Sequence, residues 1–175
     1  KDANRQAIRD AAAQAAAGDR DAFRRFVDLT HRTVFRLAYR LLDDQAAAED
    51  VAQEAYLRAW EGFGSLRDPG AAFGWLCRVA RNVAADRQRH AYRHPTRSLD
   101  APAGPEGVSL VDLLVDPGAD PEGRLDAAQL GRLVQDALAG LKEKHRLVLT
   151  LREMDGMSYE EIALALGIRI GTVES

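Results

Sequence analysis

Six arginines stand between Gly74 and Arg97 (Arg78, Arg81, Arg87, Arg89, Arg93 and Arg97) against one acid, Asp86. Within "AFGWLCRVARNVAADRQRHAYRH" the first five are accompanied by an amide, Asn82, and two aromatics, Trp75 and Tyr92. Helical spacing puts Phe73, Leu76, Ala80, Val83 and Ala84 inward and Arg78, Arg81, Asn82 and Arg89 on or near another face. Guanidinium groups hold phosphates, while an amide and aromatic rings suit unstacked bases, so this chemistry fits single-stranded or partly melted nucleic acid. A solvated basic helix side is the alternative. The opposite chemistry follows directly. Ser98 to Asp126 holds seven acids against one base, Arg124, so the formal net charge of −3 and pI of about 5.8 conceal two opposed blocks. A third stretch, "AEDVAQEAYLRAW", places Asp50, Gln53, Glu54, Leu57 and Glu61 on one helix face. Acids around one outward leucine form either a docking surface for a basic partner or a solvated side.

Catalytic constellations are missing from the sequence. His31, His90, His94 and His145 are scattered. His90 and His94 have the i, i+4 spacing that can grip a metal, but Cys77 is their one nearby co-ligand candidate and Pro95 follows at once, so no metal is expected. There is no glycine-rich phosphate loop and no G-x-S-x-G nucleophile motif. The expectation is a protein that is not an enzyme and needs no cofactor. The single cysteine excludes an internal disulfide and fits a reducing cytoplasm.

The C-terminal stretch "MSYEEIALALGIRIGTVES" offers a different kind of contact. Ser158 with Glu161 three residues later forms a capping-box pair that starts a helix. Ile162, Ala163 and Leu166 predict its buried stripe, Gly167 a left-handed turn, and Ile168 and Val173 the plug between two helices. A small residue, a turn glycine and an apolar plug at these spacings are what a DNA-reading helix-turn-helix needs, with an ordinary core hairpin as the alternative.

The elements that must position these groups are helical throughout. Apolar residues recur at three and four, and no alternating strand-like run occurs, so the fold class is all-α. The periodicity predicts helices over about Asp21 to Leu42, Ala46 to Phe63, and from Ala72 past Arg87, with an alanine-rich polar helix before them. Five of the six prolines fall between Arg93 and Gly123, which reads as a linker. Helical periodicity returns from Leu125 to Leu151. The expected organisation is two small helical domains, 1–93 and 124–175, joined by an acidic Pro/Gly-rich linker, 94–123. No apolar run approaches the roughly 20 residues that span a bilayer, and no signal peptide is evident, so a soluble, cytoplasmic protein is expected.

Taken together these stretches resemble the extracytoplasmic-function (ECF) group of the sigma-70 family, bacterial RNA polymerase initiation factors. "GDRDAFRRFVDLTHRTVFRLAYRLL" resembles the family's first core helices, and "AEDVAQEAYLRAW" its D-V-x-Q-E polymerase-binding helix. "AFGWLCRVARNVAADRQR" is similar to the segment that melts and reads the −10 element. "LVLTLREMDGMSYEEIALALGIRIGTVES" is similar to the helix-turn-helix that reads the −35 element. The resemblance covers about Gly18 to Arg93 and Leu125 to Ser175, in family order.

The resemblance implies roles residue by residue. Asp50, Gln53, Glu54 and Leu57 would meet the clamp helices of core RNA polymerase. Leu66 and Arg67 would lie where a flipped −10 base is captured, with Asn82 beside that base. Arg78, Arg81 and Arg89 would hold the strand's phosphates, and the acidic tether would follow the polymerase's RNA path. Arg169, Thr172, Glu174 and Ser175 would face the −35 duplex. Glu174 departs from the basic residue common at its position. The family's recognition helix continues beyond "GTV-x-S" into an arginine-rich run, so the chain is expected to be a trimmed form of a longer protein. An anti-sigma factor is implied as a partner, and a monomer as the free state. The alternative is a helix-turn-helix regulator that binds operator DNA without polymerase, as a dimer on paired half-sites.

Overall fold

The structure, a computed structural model, describes residues 2–93 and 140–174. Helix α1 spans Asp2–Ala16, α2 Arg20–Leu42 and α3 Gln45–Gly62. Two short 3-10 turns, Phe63–Ser65 and Pro69–Ala71, lead into α4, Ala72–Arg93. Helix α5 covers Glu143–Leu149, a π turn Thr150–Met154, α6 Tyr159–Leu166 and α7 Ile170–Glu174. All are helical, as the periodicity predicts; the proposed linker 94–123 and the stretch 125–139 lie outside the described residues.

Chain contacts separate two compact units, Lys1–Pro95 with Leu151–Ser175, and Thr96–Thr150. In the second unit the described element is α5, whose last turn is closed by the Thr150 hydroxyl donating to the Arg146 carbonyl at 2.7 Å. The first unit holds every other described helix, the helix-turn-helix included.

Helix ends in the first unit follow from capping chemistry. The Asp19 carboxylate accepts from the Asp21 and Ala22 amides at 2.9 and 3.0 Å, which starts α2 by satisfying otherwise orphaned donors. Asp43 takes a left-handed conformation (φ 51°) and donates its N–H to the Tyr39 carbonyl at 2.8 Å, ending α2. One residue later the Asp44 carboxylate accepts from the Ala47 amide at 2.7 Å and opens α3. The two-residue hinge Asp43–Asp44 therefore turns α2 back on α3 with both helix ends capped.

The core forms where the apolar stripes of α2, α3 and α4 meet. Phe26, Val34, Leu37, Val51, Phe63, Leu76 and Cys77 are all fully or almost fully buried. Phe63 meets Phe23, Phe26 and Trp75 edge-on, with ring centroids 5.4, 5.1 and 6.2 Å apart, the geometry favoured by ring quadrupoles. The Tyr56 hydroxyl and Thr30 share a buried hydrogen bond of 2.8 Å, while Thr30 also donates to the Phe26 carbonyl at 2.7 Å. That pairing satisfies a phenol which burial pushes far above its ordinary pKa. Helix α1 covers this core with Ile8 and with Ala11, Ala12 and Ala15, whose small side chains let it lie close.

Candidate functional site

Three surfaces carry the chemistry singled out in the sequence. On α3, Asp50, Gln53, Leu57 and Glu61 are exposed and Glu54 is half-buried, while Val51, Ala52, Ala55, Tyr56 and Ala59 are buried. The polar face thus faces out as its spacing predicts. Leu57 is 62% exposed, high for a leucine, and Trp60 one turn on is 39% exposed. A groove of about 380 Å³ beside them is lined by Phe23, Val27 and His31 of α2 and by Gln53, Tyr56, Leu57 and Trp60 of α3. The sequence reading missed Trp60 and this groove. Leu57 and Trp60 at i, i+3 beside Phe23 and Val27 at i, i+4 were the available signal, but pairing the two stripes requires knowing how α2 and α3 meet. Two of the acids are already engaged: Glu54 with Arg58, and Asp50 with Arg87 of α4 at 2.6 Å.

The second surface is the outer side of α4 with the loop before it. Arg78, Asn82, Arg87 and Arg89 are exposed, and Phe73, Leu76, Ala80, Val83 and Ala84 are buried as expected. Arg89 pairs with Asp86. Leu66 is half-buried and Arg67 exposed, on the segment between the two 3-10 turns. That segment is fixed at both ends: the Leu66 amide donates to the Phe63 carbonyl at 3.1 Å, and Asp68 accepts from the Gly70 amide at 2.8 Å. Arg81 differs from its neighbours on α4. It is half-buried, and its guanidinium donates to the Leu166 carbonyl at the end of α6. Tyr92 contributes backbone to α4.

The third surface is the helix-turn-helix. The capping box is complete: the Glu161 amide donates to the Ser158 hydroxyl at 3.1 Å, and the Ser158 amide to the Glu161 carboxylate at 2.6 Å. Gly167 ends α6 at φ 63°, the left-handed turn expected there. The buried stripe differs from the one read in the sequence. Ile162 is buried as expected, but Ala163 and Leu166 are half-buried while Glu161 and Ala165 are buried. Ile168 is 37% exposed and does not plug the interhelical angle, which Val173, 8% exposed, fills. The reason is that α6 packs on α4 as well as on α7, so its covered face turns toward positions 161, 162 and 165. Arg169, Thr172 and Glu174 have exposed side chains at the turn and along α7; Ser175 lies outside the described residues.

Among the described residues no group of three or more His, Cys, Asp or Glu side chains could hold a metal ion. Cys77 is fully buried and its thiol is pushed well above the ordinary range by burial, whereas His90 is exposed; His94 lies outside the described residues. No helix among the described residues is long and apolar enough to cross a membrane.

With these surfaces in view, the sequence matches Sigma-70 region 2 over residues 26–94 and Sigma-70, region 4 over residues 131–175. The chain is 36% identical over 163 residues to the ECF RNA polymerase sigma factor SigW of Bacillus subtilis (strain 168), covering 93% of this chain and 86% of that protein. It is 32% identical over 162 residues to the ECF RNA polymerase sigma-E factor of Escherichia coli (strain K12), covering 90% and 82%. Among solved structures it is similar to CnrH in complex with the cytosolic domain of CnrY, with a TM-score of 0.57, 26% identity, and 96% and 88% of the two chains covered. The fold also matches the sigma factor RpoE of Bartonella quintana, solved with the anti-sigma factor NepR, with a TM-score of 0.58, 24% identity and 87% of each chain covered. The outward acidic and arginine-bearing faces and the capped helix-turn-helix therefore belong to a known lineage: this chain is a member of the ECF group of the sigma-70 family of RNA polymerase sigma factors.

Proposed function

We propose that the chain directs core RNA polymerase to promoters through three separate contacts, and that it acts in the cytoplasm as a monomer without catalysing a reaction itself. The division of labour is 1–93 for polymerase and the −10 element, 94–123 as an acidic tether, and 124–175 for the −35 element. The observation that carries the reading is the α3 face, where exposed Gln53 and Leu57 adjoin the apolar groove floored by Tyr56 and edged by Trp60. An operator-binding regulator needs no such surface. Asp50, Gln53, Glu54 and Leu57 dock polymerase, with Trp60 as an added apolar anchor of the kind that dominates interface energetics. Leu66, Arg67 and Asn82 read the melted −10 strand, and Arg78, Arg81 and Arg89 hold its phosphates. Arg169, Thr172, Glu174 and Ser175 face the −35 duplex. CnrH and the Bartonella RpoE were each solved with a partner protein, which supports an anti-sigma factor as the restraining partner here. The defining experiment is pull-down of core polymerase followed by transcription from a promoter library; sequence-specific duplex binding without polymerase would instead establish the regulator.

Glu54→Arg is expected to weaken polymerase binding by about 10-fold or more while leaving the fold intact. The Glu54 and Arg58 side chains are both nearly half exposed, so losing their pair changes stability by under about 1 kcal/mol. Reversing the charge, by contrast, opposes a basic partner directly. Core polymerase binding the variant as tightly as the parent removes the docking assignment.

Asn82→Ala and Leu66→Ala are expected to impair open-complex formation more than closed-complex formation, since base readout begins only after the duplex opens. Permanganate footprinting checks this: normal thymine reactivity around −10 in both variants means these residues do not read the strand.

A further inference from the structure

Helical spacing puts Trp75, Arg78 and Asn82 along one side of α4, at i, i+3 and i+7. The indole of Trp75 nevertheless turns into the chain. It is half-buried, its ring meets Phe63 edge-on, and its six-membered ring lies against the end of α3 at Gly62. A β-carbon on Gly62 would stand 3.1 Å from both Cη2 and Cζ2 of that ring. Carbon atoms pack best about 3.5–4.0 Å apart, so even a methyl group would push the indole back. The backbone does not call for glycine here: Gly62 has φ −89° and ψ −13°, in the right-handed helical region. What Gly62 supplies is space, and the indole fills it.

That contact lies at the neck of the loop carrying the proposed base-capture residues. The Ser65 hydroxyl donates to the Gly62 carbonyl at 2.8 Å, and the Leu66 amide donates to the Phe63 carbonyl at 3.1 Å. The segment therefore leaves α3 tied to residues 62 and 63. It rejoins α4 through Asp68, whose carbonyl accepts from the Ala71 amide at 3.1 Å. Trp75 stands in the first turn of α4 and reaches back to Gly62 and Phe63. One indole thus closes a loop running from residue 62 to residue 75, with Leu66 and Arg67 on it and Asn82 two turns further along α4.

We infer that Trp75 and Gly62 are positioning residues for −10 base capture: the indole, seated in the notch that Gly62 leaves, holds Leu66 and Arg67 at the distance from Asn82 that an unstacked base requires. This rests on the assignment of Leu66, Arg67 and Asn82 to the melted strand. It takes Trp75 out of the aromatics that meet bases directly and gives Gly62 a part in strand reading. Arginine contacts to phosphates do not depend on this spacing. The pair therefore governs which base is accepted rather than how tightly the strand is held.

Size compensation provides the test. Holoenzyme assembled from the full chain and core polymerase is titrated with a fluorescent single-stranded oligonucleotide carrying a −10 sequence from the promoter library. Copies with an abasic site at each position in turn are titrated alongside. The parent should prefer the intact strand by about tenfold or more at one position, in the range of a captured and stacked base. Trp75→Phe empties the notch and Gly62→Ala pushes the indole out of it. Each should cut that preference about threefold or more, while affinity for the abasic strand stays within about twofold because phosphate contacts persist. In the double variant, Gly62→Ala with Trp75→Phe, the methyl group takes the space the smaller ring vacates, and the preference should return toward the parent value. Far-UV circular dichroism and polymerase pull-down check that each variant is folded. Should Trp75→Phe fail that check, Gly62→Ala alone carries the test, since it removes no core atom. Unchanged preference in the folded single variants overturns the inference, as does an equal loss of affinity for intact and abasic strands, the mark of a purely structural role. A double variant no better than Trp75→Phe also overturns it, because a ring that stacks on bases itself would behave that way. A parent that prefers no intact base overturns instead the assignment of Leu66 and Asn82 on which the positioning role stands.

Discussion

Phe63→Ala should lower the unfolding free energy by about 3–5 kcal/mol, the range for truncating a buried aromatic, out of a total of about 5–15 kcal/mol for a domain. Phe63 is 1% exposed and its ring meets three others, so the cavity left behind has few flexible neighbours to fill it. The effect extends beyond stability. Phe63 opens the 3-10 turn whose carbonyl accepts the Leu66 amide, so the ring also anchors the segment carrying Leu66 and Arg67. Open-complex formation should therefore fall even at low temperature, where the variant remains folded. Trp60→Ala is the contrasting case. Its ring is partly exposed and makes its edge contact with Phe23 at 4.9 Å, so stability should change far less and polymerase binding should carry the loss. Urea titration monitored by far-UV circular dichroism separates the two. A Phe63→Ala midpoint shift equivalent to under about 1 kcal/mol, at unchanged m-value, would contradict the anchoring role.

The aromatic cluster was not legible in the sequence: Phe63 marked only a helix end, and Trp75 was grouped with the strand-binding residues, whereas its ring packs edge-on against Phe63. The inward face of α4 and the capping box at Ser158 and Glu161 were legible, since their residues recur three or four apart. Local spacing determines such features, so periodicity and capping chemistry reveal them. What it could not reveal was the burial of Arg36, Glu161 and the Asp155 carboxylate. Charged residues read as solvent-facing unless a partner is known, and here the partner lies 119 residues away for Arg36 and 115 for Arg40. The misplaced stripe of α6 has the same origin. Ile168 looked like an interhelical plug because the hairpin was considered alone, whereas α6 also packs on α4. Arg81 was correctly placed away from the α4 core, but no feature of the sequence indicated that a carbonyl of the same chain occupies it.

Asp155→Ala should show how strongly that long-range arrangement holds. The carboxylate is fully shielded from solvent and serves two guanidinium groups that are themselves only 7% and 14% exposed. Burial pulls both arginines below their ordinary pKa, and Asp155 opposes that pull. Among the described residues, Arg36 Nε and Arg40 Nε and Nη2 have no hydrogen-bond partner, so the cluster already carries more cation than it can satisfy. Removing the one carboxylate leaves two buried positive charges, a change of about 3–5 kcal/mol against the docked arrangement. The chain can relieve that penalty without unfolding, because lifting residues 155–166 returns both arginines to water. The loss seen in global unfolding should accordingly be smaller than the loss of docking. Native-state hydrogen exchange distinguishes the two: amides of α6 should lose protection while those buried in α2, α3 and α4 keep theirs. Replacing the whole cluster by apolar residues, Arg36→Met with Arg40→Met and Asp155→Leu, should restore α6 protection to the parent level or above, since a buried ion pair is commonly no more stabilising than packed side chains of similar volume. If α6 amides exchange in Asp155→Ala as slowly as in the parent, the ion cluster does not hold the helix-turn-helix, and its contacts with Gly74, Arg81 and Arg5 suffice.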